Sequence, residues 1–192
     1  MRPGLRRAGV LMAVAVLGLT GCKGKQGPEA SGGEPPTPQQ VELSYTVPKG
    51  MTEVSVPSAT PSAGVSYDIK LYRSADSCEL RVVRLLIPKG DDQEDQDVTY
   101  NMLGAIMKSS GINEFTTNGV MVPGDPGPIP TLTVSGQTST ATMRAIGRLS
   151  NESKQGYQLV YGCGKGKLVE KTWDALVKSL SVKGFTGPLT EH

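Results

Sequence analysis

The period of the hydrophobic pattern changes along this chain, and the order of those changes most constrains the fold. Residues 65–73 alternate between apolar and polar side chains, and residues 78–88 form a long apolar run rich in β-branched residues, so both are predicted strands. Residues 41–48 and 55–57 are predicted as shorter strands. From Asp91 to Gly111 the apolar residues follow helical spacing, with carboxylates first and a glycine after the end.

The second half of the chain again has predicted strands followed by a predicted helix. Residues 114–122 and 131–138 are predicted strands joined by a Pro- and Gly-rich loop at 123–130, and residues 140–149 and 156–164 form a predicted hairpin. The last predicted element is a helix over 169–180, with Gly184 at its end. Strands and helices do not alternate one by one, so the sequence predicts an α+β fold with a mainly antiparallel sheet flanked by helices.

The N-terminal segment predicts export and lipid attachment. Three arginines within residues 1–8 precede a mainly apolar run at 9–19. This run is shorter than the roughly 20 residues of a membrane span and is typical of a signal peptide. Residues 19–22, Leu-Thr-Gly-Cys, resemble the bacterial lipobox, which implies cleavage after residue 21 and acyl chains on the Cys22 thiol and amine. An ordinary secretory leader and an uncleaved anchor are the alternatives.

The lipobox resemblance divides the chain into four parts. Residues 1–21 are the predicted lipoprotein signal peptide, residues 22–40 the lipidated cysteine with a flexible linker, residues 41–184 one α+β domain, and residues 185–192 a loose tail. The linker contains no large apolar residue and cannot bury a core. Several acyl chains would hold the protein stably at a membrane. The predicted location is the cell envelope, with the outer membrane favoured over the inner one because Lys23 replaces the aspartate that marks inner-membrane retention.

Charge and histidine content exclude several classes of function. The formal net charge is +2, and removal of the leader's three arginines leaves 17 basic against 18 acidic residues. No basic face for nucleic acid is therefore predicted. The single histidine is His192, so no histidine-based metal cluster or Ser-His-Asp triad is available. We expect no enzyme activity, no cofactor and no metal.

The two cysteines of the domain are predicted to form a disulfide. Cys78 begins one predicted strand and Cys163 ends another, and antiparallel neighbours would bring such ends together. An exported protein meets an oxidising compartment. The bond would close a loop of about 86 residues and stabilise the domain by roughly 4 kcal/mol in the chain-entropy model. Two free buried cysteines and, more remotely, a catalytic thiol are the alternatives.

Two charged segments carry further site predictions. Carboxylates cluster before the first helix and offer a cation site, with solvated helix-start charges as the alternative: Asp91, Glu94, Asp95 and Asp97. A Gly- and Lys-rich turn precedes the second helix and offers an anion site, with a plain solvated turn as the alternative: Gly164, Lys165, Gly166 and Lys167.

Three segments resemble the Mog1/PsbP-like fold, whose bacterial members include lipoproteins of the DcrB and DUF1795 types. They are YTVPKGM at 45–51, YDIKLY at 67–72, and the strand and helix at 157–183, although Met51 stands where the family usually has an aromatic residue. The resemblance implies a three-layer α/β/α sandwich over residues 41–184 and no common enzymatic activity. We therefore expect an accessory domain that binds an envelope protein. The alternative is a domain that binds a small ligand or anion in an interlayer cleft, with or without catalysis.

Overall fold

A computed structural model describes residues 41–56, 66–87 and 93–185 of the chain. The predicted signal peptide, Cys22, the linker and Asp91 lie outside these residues, as do residues 186–192 of the predicted tail. The helices and strands of the described part are, in chain order, β1 (Glu42–Ser44), β2 (Met51–Val54), β3 (Ser66–Ser74), β4 (Cys78–Leu86), α1 (Asp95–Ser109), β5 (Phe115–Val122), β6 (Gly124–Asp125), β7 (Ile129–Gln137), β8 (Ala141–Ser150), β9 (Gln155–Gly164), α2 (Glu170–Ser179) and β10 (Ser181–Lys183).

Seven strands form one sheet in the order β2-β3-β4-β9-β8-β7-β5, and every neighbouring pair is antiparallel. The strands β2 to β4 fill one half of the sheet, and α1 then carries the chain to the far edge at β5. From β5 the chain returns through β7, β8 and β9 to pair with β4 in the centre. The predicted α+β class with a mainly antiparallel sheet is confirmed.

The remaining three strands form a small second sheet from distant parts of the chain. Its central strand is β10, which pairs antiparallel with β1 and parallel with β6. The Val182 N–H also donates to the Pro123 carbonyl at 2.9 Å. Each strand has two or three residues, so the small sheet depends on packing against the rest of the domain.

Helix α1 packs its apolar stripe on one face of the seven-stranded sheet. Leu103 and Met107 are fully buried against side chains of β7, β8 and β9, among them Val134, Ala145 and Val160. The helix ends at Ser109, and Gly111 takes a backbone φ of +78°, which favours glycine over other residues. This agrees with the helix and the terminal glycine predicted from the sequence.

Helix α2 and the small sheet cover the opposite face. Trp173 and Leu176 of α2 share one apolar cluster with Leu159 of β9. Leu159 contacts this cluster and its neighbour Val160 contacts the α1 cluster, and successive strand residues point to opposite faces. The domain therefore has three layers: α1, the seven-stranded sheet, and α2 together with the small sheet.

Several predicted boundaries are wrong, for local reasons. The predicted strand at 55–57 does not form at Ser55 or Val56; β2 instead begins at Met51, after a turn in which Gly50 has φ +84°. The predicted strand at 41–48 shortens to β1, and the predicted loop at 123–130 contains β6. The second helix ends at Ser179, so β10 separates it from Gly184.

The predicted loose tail is wrong at its first residue. Phe185 is only 3% exposed, and its ring meets the Tyr157 ring edge-on at a centroid distance of 5.7 Å. The packed part of the domain therefore continues at least to residue 185, because an aromatic ring gains stability from the buried contact.

Candidate functional site

The two domain cysteines form the predicted disulfide. Cys78 opens β4, and Cys163 lies directly opposite it near the end of β9. Both side chains are buried in the α2-side cluster. The bond joins two central strands that are 85 residues apart in sequence, so it fastens the two halves of the seven-stranded sheet to each other.

The acidic segment does not assemble the predicted cation site within the described residues. Glu94 and Asp97 are exposed, whereas Asp95 turns towards the protein. The Asn151 N–H donates to the Asp95 carboxylate at 2.8 Å, and the Arg148 guanidinium lies 3.6 Å from it. In the part of the chain that the structure covers, no three cysteine, histidine or carboxylate side chains converge as metal ligands. Asp95 therefore has protein partners, and Asp91 lies outside the described residues.

The Gly-Lys segment forms a turn rather than the predicted anion site. The Lys165 N–H donates to the Thr140 carbonyl at 2.8 Å, and the Lys167 N–H donates to the Gly164 carbonyl at 2.9 Å. Gly166 supplies the positive φ of +74°. These two amides are already bonded, and the first turn of the following helix carries the Glu170 carboxylate, which opposes a second anion.

Arg148 is a buried charged residue that the sequence analysis missed. Its side chain is 1% exposed, and it donates to the Pro130 carbonyl at 3.3 Å. Its guanidinium also lies 5.0 Å from the centre of the Phe185 ring. Burial lowers the pKa of Arg148, and the nearby Asp95 carboxylate acts in the opposite direction. The one available signal was an arginine two residues after Ile146 in the predicted strand at 140–149, and therefore on the same face as Ile146.

Tyrosine hydroxyls form two polar contacts on the same face. The Tyr157 hydroxyl shares a hydrogen bond with the Thr131 hydroxyl at 2.8 Å, and burial raises the pKa of Tyr157 to about 12. The Tyr45 hydroxyl lies 3.0 Å from that of Tyr72, and burial together with this bond raises the pKa of Tyr45 well above its ordinary value. Neither tyrosine is therefore a base near neutral pH, and both serve as hydrogen-bonding groups in the structure.

An open polar groove lies beside the start of α2, on the same face of the sheet. It has a volume of about 650 Å³ and is lined mainly by hydroxyl and charged side chains, including Thr116, Ser135, Thr142, Arg144 and Glu170. We call this set the polar groove. The Thr116 and Ser135 hydroxyls lie 2.7 Å apart, and an Arg144 guanidinium nitrogen donates to the Glu170 carboxylate at 2.6 Å. Its chemistry suits polar ligands that exchange hydrogen bonds with hydroxyls and a guanidinium.

A second groove runs between residues 46–49 and α2. It has a volume of about 420 Å³, and its lining includes Val47 and Leu176 as apolar groups and Lys49 and Lys171 as basic groups. We call it the basic groove. The Thr46 N–H donates to the Ser179 hydroxyl at 2.9 Å, which holds the segment after β1 against the end of α2. Both grooves have lining residues on α2.

Comparison with known proteins adds no family. Neither the protein-family models nor the curated proteins include a match to this chain. Within the three described ranges, neither helix combines the length and the apolar character that crossing a membrane requires.

Proposed function

We propose that this protein is a lipoprotein of the bacterial cell envelope, held by acyl chains on Cys22. One observation carries the proposal: Cys78 and Cys163 pair with each other, which leaves Cys22 as the one remaining cysteine of the sequence. That cysteine follows the apolar run and the Leu-Thr-Gly triplet of a lipobox. Two or more acyl chains provide stable attachment where one does not.

The disulfide supports an envelope location. Structural disulfides persist in oxidising compartments such as the periplasm and are rare in the cytosol. Residues 22–40 would serve as a tether between the anchor and the domain. We favour the outer membrane over the inner one, on the basis of Lys23.

The domain itself would act by binding an envelope protein rather than by catalysis. The layer order supports the Mog1/PsbP-like sandwich, because an antiparallel sheet lies between α1 on one face and α2 on the other. Fold alone does not define a function. The polar groove supports a contact surface, since its lining is open and rich in hydroxyl groups.

A second candidate function is the binding of a small anionic ligand in the polar groove. The Arg144 Nε atom is buried and has no hydrogen-bond acceptor among the described residues. A ligand carboxylate could accept from Nε and from the guanidinium nitrogen that now contacts Glu170, because arginine presents its donors as a fork. Such a ligand would displace the Glu170 carboxylate.

The anchor is tested by Cys22→Ala in cells that receive radiolabelled palmitate. We expect the variant to take up no label and to remain as the precursor with its leader attached. Lys23→Ala, one residue outside the lipobox, is the matched control and should be labelled and processed like the parent protein. Labelling and processing of Cys22→Ala at the parent level would disprove lipid attachment. Density separation of the two membranes then tests the outer-membrane assignment.

The two roles of the domain are separated by Arg144→Gln and Ser135→Lys in the full chain. A small-ligand site predicts that dicarboxylates raise the melting temperature of the parent and of Thr52→Lys, a control far from the groove, but not of Arg144→Gln. A protein-binding surface predicts instead that crosslinking in cells yields a defined product that Ser135→Lys removes and Thr52→Lys keeps. Catalytic turnover that depends on one groove carboxylate would overturn the non-catalytic assignment.

A further inference from the structure

The outer strand of the seven-stranded sheet is long and unusually unprotected. β5 pairs with β7 through eight consecutive residues from Phe115 to Val122, and among the described residues no strand lies on its other side. Eight residues span about 27 Å of edge. In an antiparallel pair, alternate residues direct their N–H and C=O groups away from the partner, so this edge can accept another strand.

Natural sheets protect such edges with charges, prolines, bulges or short strands. The sequence of β5, FTTNGVMV, has no charged residue and no proline, and its unbroken register with β7 leaves no bulge. The opposite edge strand, β2, has four residues and includes Glu53. Within the described residues, one edge strand is short and charged, and the other, β5, is long and uncharged and has no strand beside its outer edge.

The α1 side of this edge carries a large apolar side chain near each end of β5. Phe115 packs with the α1 cluster, and its ring lies 6.0 Å from the ring of Tyr100 on α1. Met121 shares this face because it is six residues from Phe115, an even number. Tyr100 is 45% exposed and Met121 61% exposed, so two of the large apolar side chains that meet solvent lie along this edge.

We propose that β5 is the interface for a second copy of this chain, paired antiparallel across the edge. When a strand pairs with a copy of itself, a charged residue can meet the same charge on the other copy, which is destabilising. β5 has no charged residue, so no like charges meet. The two-fold axis of such a pair is perpendicular to the sheet, so the α1 face of one copy continues into the α1 face of the other. Residues that lie opposite each other point to the same face, so their sequence numbers must differ by an even number. The residue midway between them then lies on the axis, opposite the same residue of the second copy.

A register centred on Asn118 satisfies these conditions best. It places Asn118 opposite Asn118 of the second copy and Phe115 opposite Met121 of the second copy, in both directions. The aromatic ring and the thioether then cover each other beside Tyr100, which is a favourable contact. The two sheets would join into one of fourteen strands, within the range known for open sheets. This self-association is a contact beyond the proposed binding of an envelope protein, and it does not depend on lipid at Cys22.

The experiment uses the full chain with Cys22→Ala, purified in a mild detergent, so that its outcome is independent of lipid attachment. Sedimentation equilibrium should give a protein mass twice that of the monomer. Asn118→Lys brings two lysines together at the axis and should weaken the dimer about fivefold. Thr52→Lys on β2 is the control and should leave the dimer unchanged. Far-ultraviolet circular dichroism checks that both variants are folded.

A cysteine pair tests the register without adding charge. Asn118→Cys places two thiols across the axis, where Cα atoms of paired residues are about 4.5–5.5 Å apart and can form a disulfide. Thr117→Cys, one residue away, would face residue 119 of the second copy and should crosslink poorly on mild oxidation. A monomeric parent chain, equal crosslinking of both variants, or a dimer insensitive to Asn118→Lys would each overturn the proposal. A monomer would also be the result if another segment of the chain covers β5.

Discussion

The two faces of the seven-stranded sheet are covered in different ways. On one face a single helix, α1, packs on β7, β8 and β9, and its cluster consists of apolar side chains such as Leu103 and Val134. On the other face the cover has several parts: α2, three short strands from distant parts of the chain, and Phe185 at the C-terminal end of the described residues. The second face also holds the disulfide and the buried groups Thr131, Tyr157 and Arg148.

The difference shows how a cover made of several segments is held in place. A long amphipathic helix buries its stripe with little further help, because all its contacts lie on one rigid element. Strands of two or three residues have few backbone bonds of their own. Specific contacts beside them therefore help to hold them: the Val182 N–H donates to the Pro123 carbonyl, the Thr46 N–H donates to the Ser179 hydroxyl, and Arg148 lies against the Phe185 ring that follows β10.

The largest effect is expected from removing the disulfide. The variant with both Cys78→Ser and Cys163→Ser should lose about 4 kcal/mol of unfolding free energy, because the unfolded chain regains the freedom of an 85-residue separation. Urea unfolding with and without reductant measures the loss. The parent should become less stable in reductant, while the variant should not respond. Equal midpoints for the parent in both conditions would contradict a stabilising role for the bond.

Arg148→Met should destabilise the domain by about 3 kcal/mol, because it leaves the Asp95 carboxylate without its buried counterion. Arg81→Met is the matched control: Arg81 pairs with Glu79 on the surface and is 52% exposed, so its loss should cost less than about 1 kcal/mol. Chemical unfolding gives both values. Adding Asp95→Asn to Arg148→Met should restore part of the loss. Similar losses for the two arginine variants would show that the buried contacts contribute little.

Tyr157 should make the α2 side sensitive to alkaline pH. Its pKa in the folded state is about 12, above the ordinary value of 10.0, so the unfolded state releases its proton first as the pH rises. The stability that this residue contributes is complete below pH 10 and falls between pH 10 and 12, by on the order of 2–3 kcal/mol. Unfolding free energies across this range measure the decline. Tyr157→Phe should decline less steeply, and an identical slope would exclude Tyr157 as a source.

The smallest effect is expected from alanine substitutions at two glycines, one in the centre of the sheet and one in the edge strand β5. A Cβ atom at Gly147 of β8 would lie 2.6 Å from the Tyr157 carbonyl oxygen, so Gly147→Ala should cost about 2 kcal/mol. No heavy atom lies within 4 Å of the same position at Gly119 of β5. Gly119→Ala should therefore be neutral or slightly stabilising. Thermal unfolding of the two variants gives the difference, and equal costs would mean that the edge at Gly119 is covered.

Local patterns predicted both helices and most of the longer strands, but not two of the three strands of the small sheet. The alternation at 65–73, the apolar run at 78–88 and the helical spacing before Gly111 all correspond to observed elements, because each pattern is a property of one segment. The strands β6 and β10 escaped prediction. They are two and three residues long. β6 pairs with β10, β10 also pairs with β1, and in both pairs the strands are more than fifty residues apart in the sequence.

The candidate sites also differ in how far they could be predicted from the sequence. The disulfide could be predicted because both cysteines stand at strand ends and antiparallel strands bring ends together. The cation and anion predictions depended on composition and on a position next to the start of a helix. In the folded domain the Asp95 carboxylate contacts Arg148 and Asn151, and the Lys165 and Lys167 amides donate to backbone carbonyls. The polar groove could not be foreseen, since Thr116, Ser135 and Arg144 come from three strands and meet only across the sheet.

The sequence by itself determined most of the longer segments, those that become strands or helices, and which two cysteines of the domain can pair. These properties follow from neighbours along the chain, where side-chain periodicity and turn residues act within a few positions. Tertiary structure alone decided the strand order, the composite cover of the α2 face, the burial of Arg148 and the open edge at β5. Each of these depends on which distant segments compete for the same surface, and packing free energy settles that competition only when the whole domain is assembled.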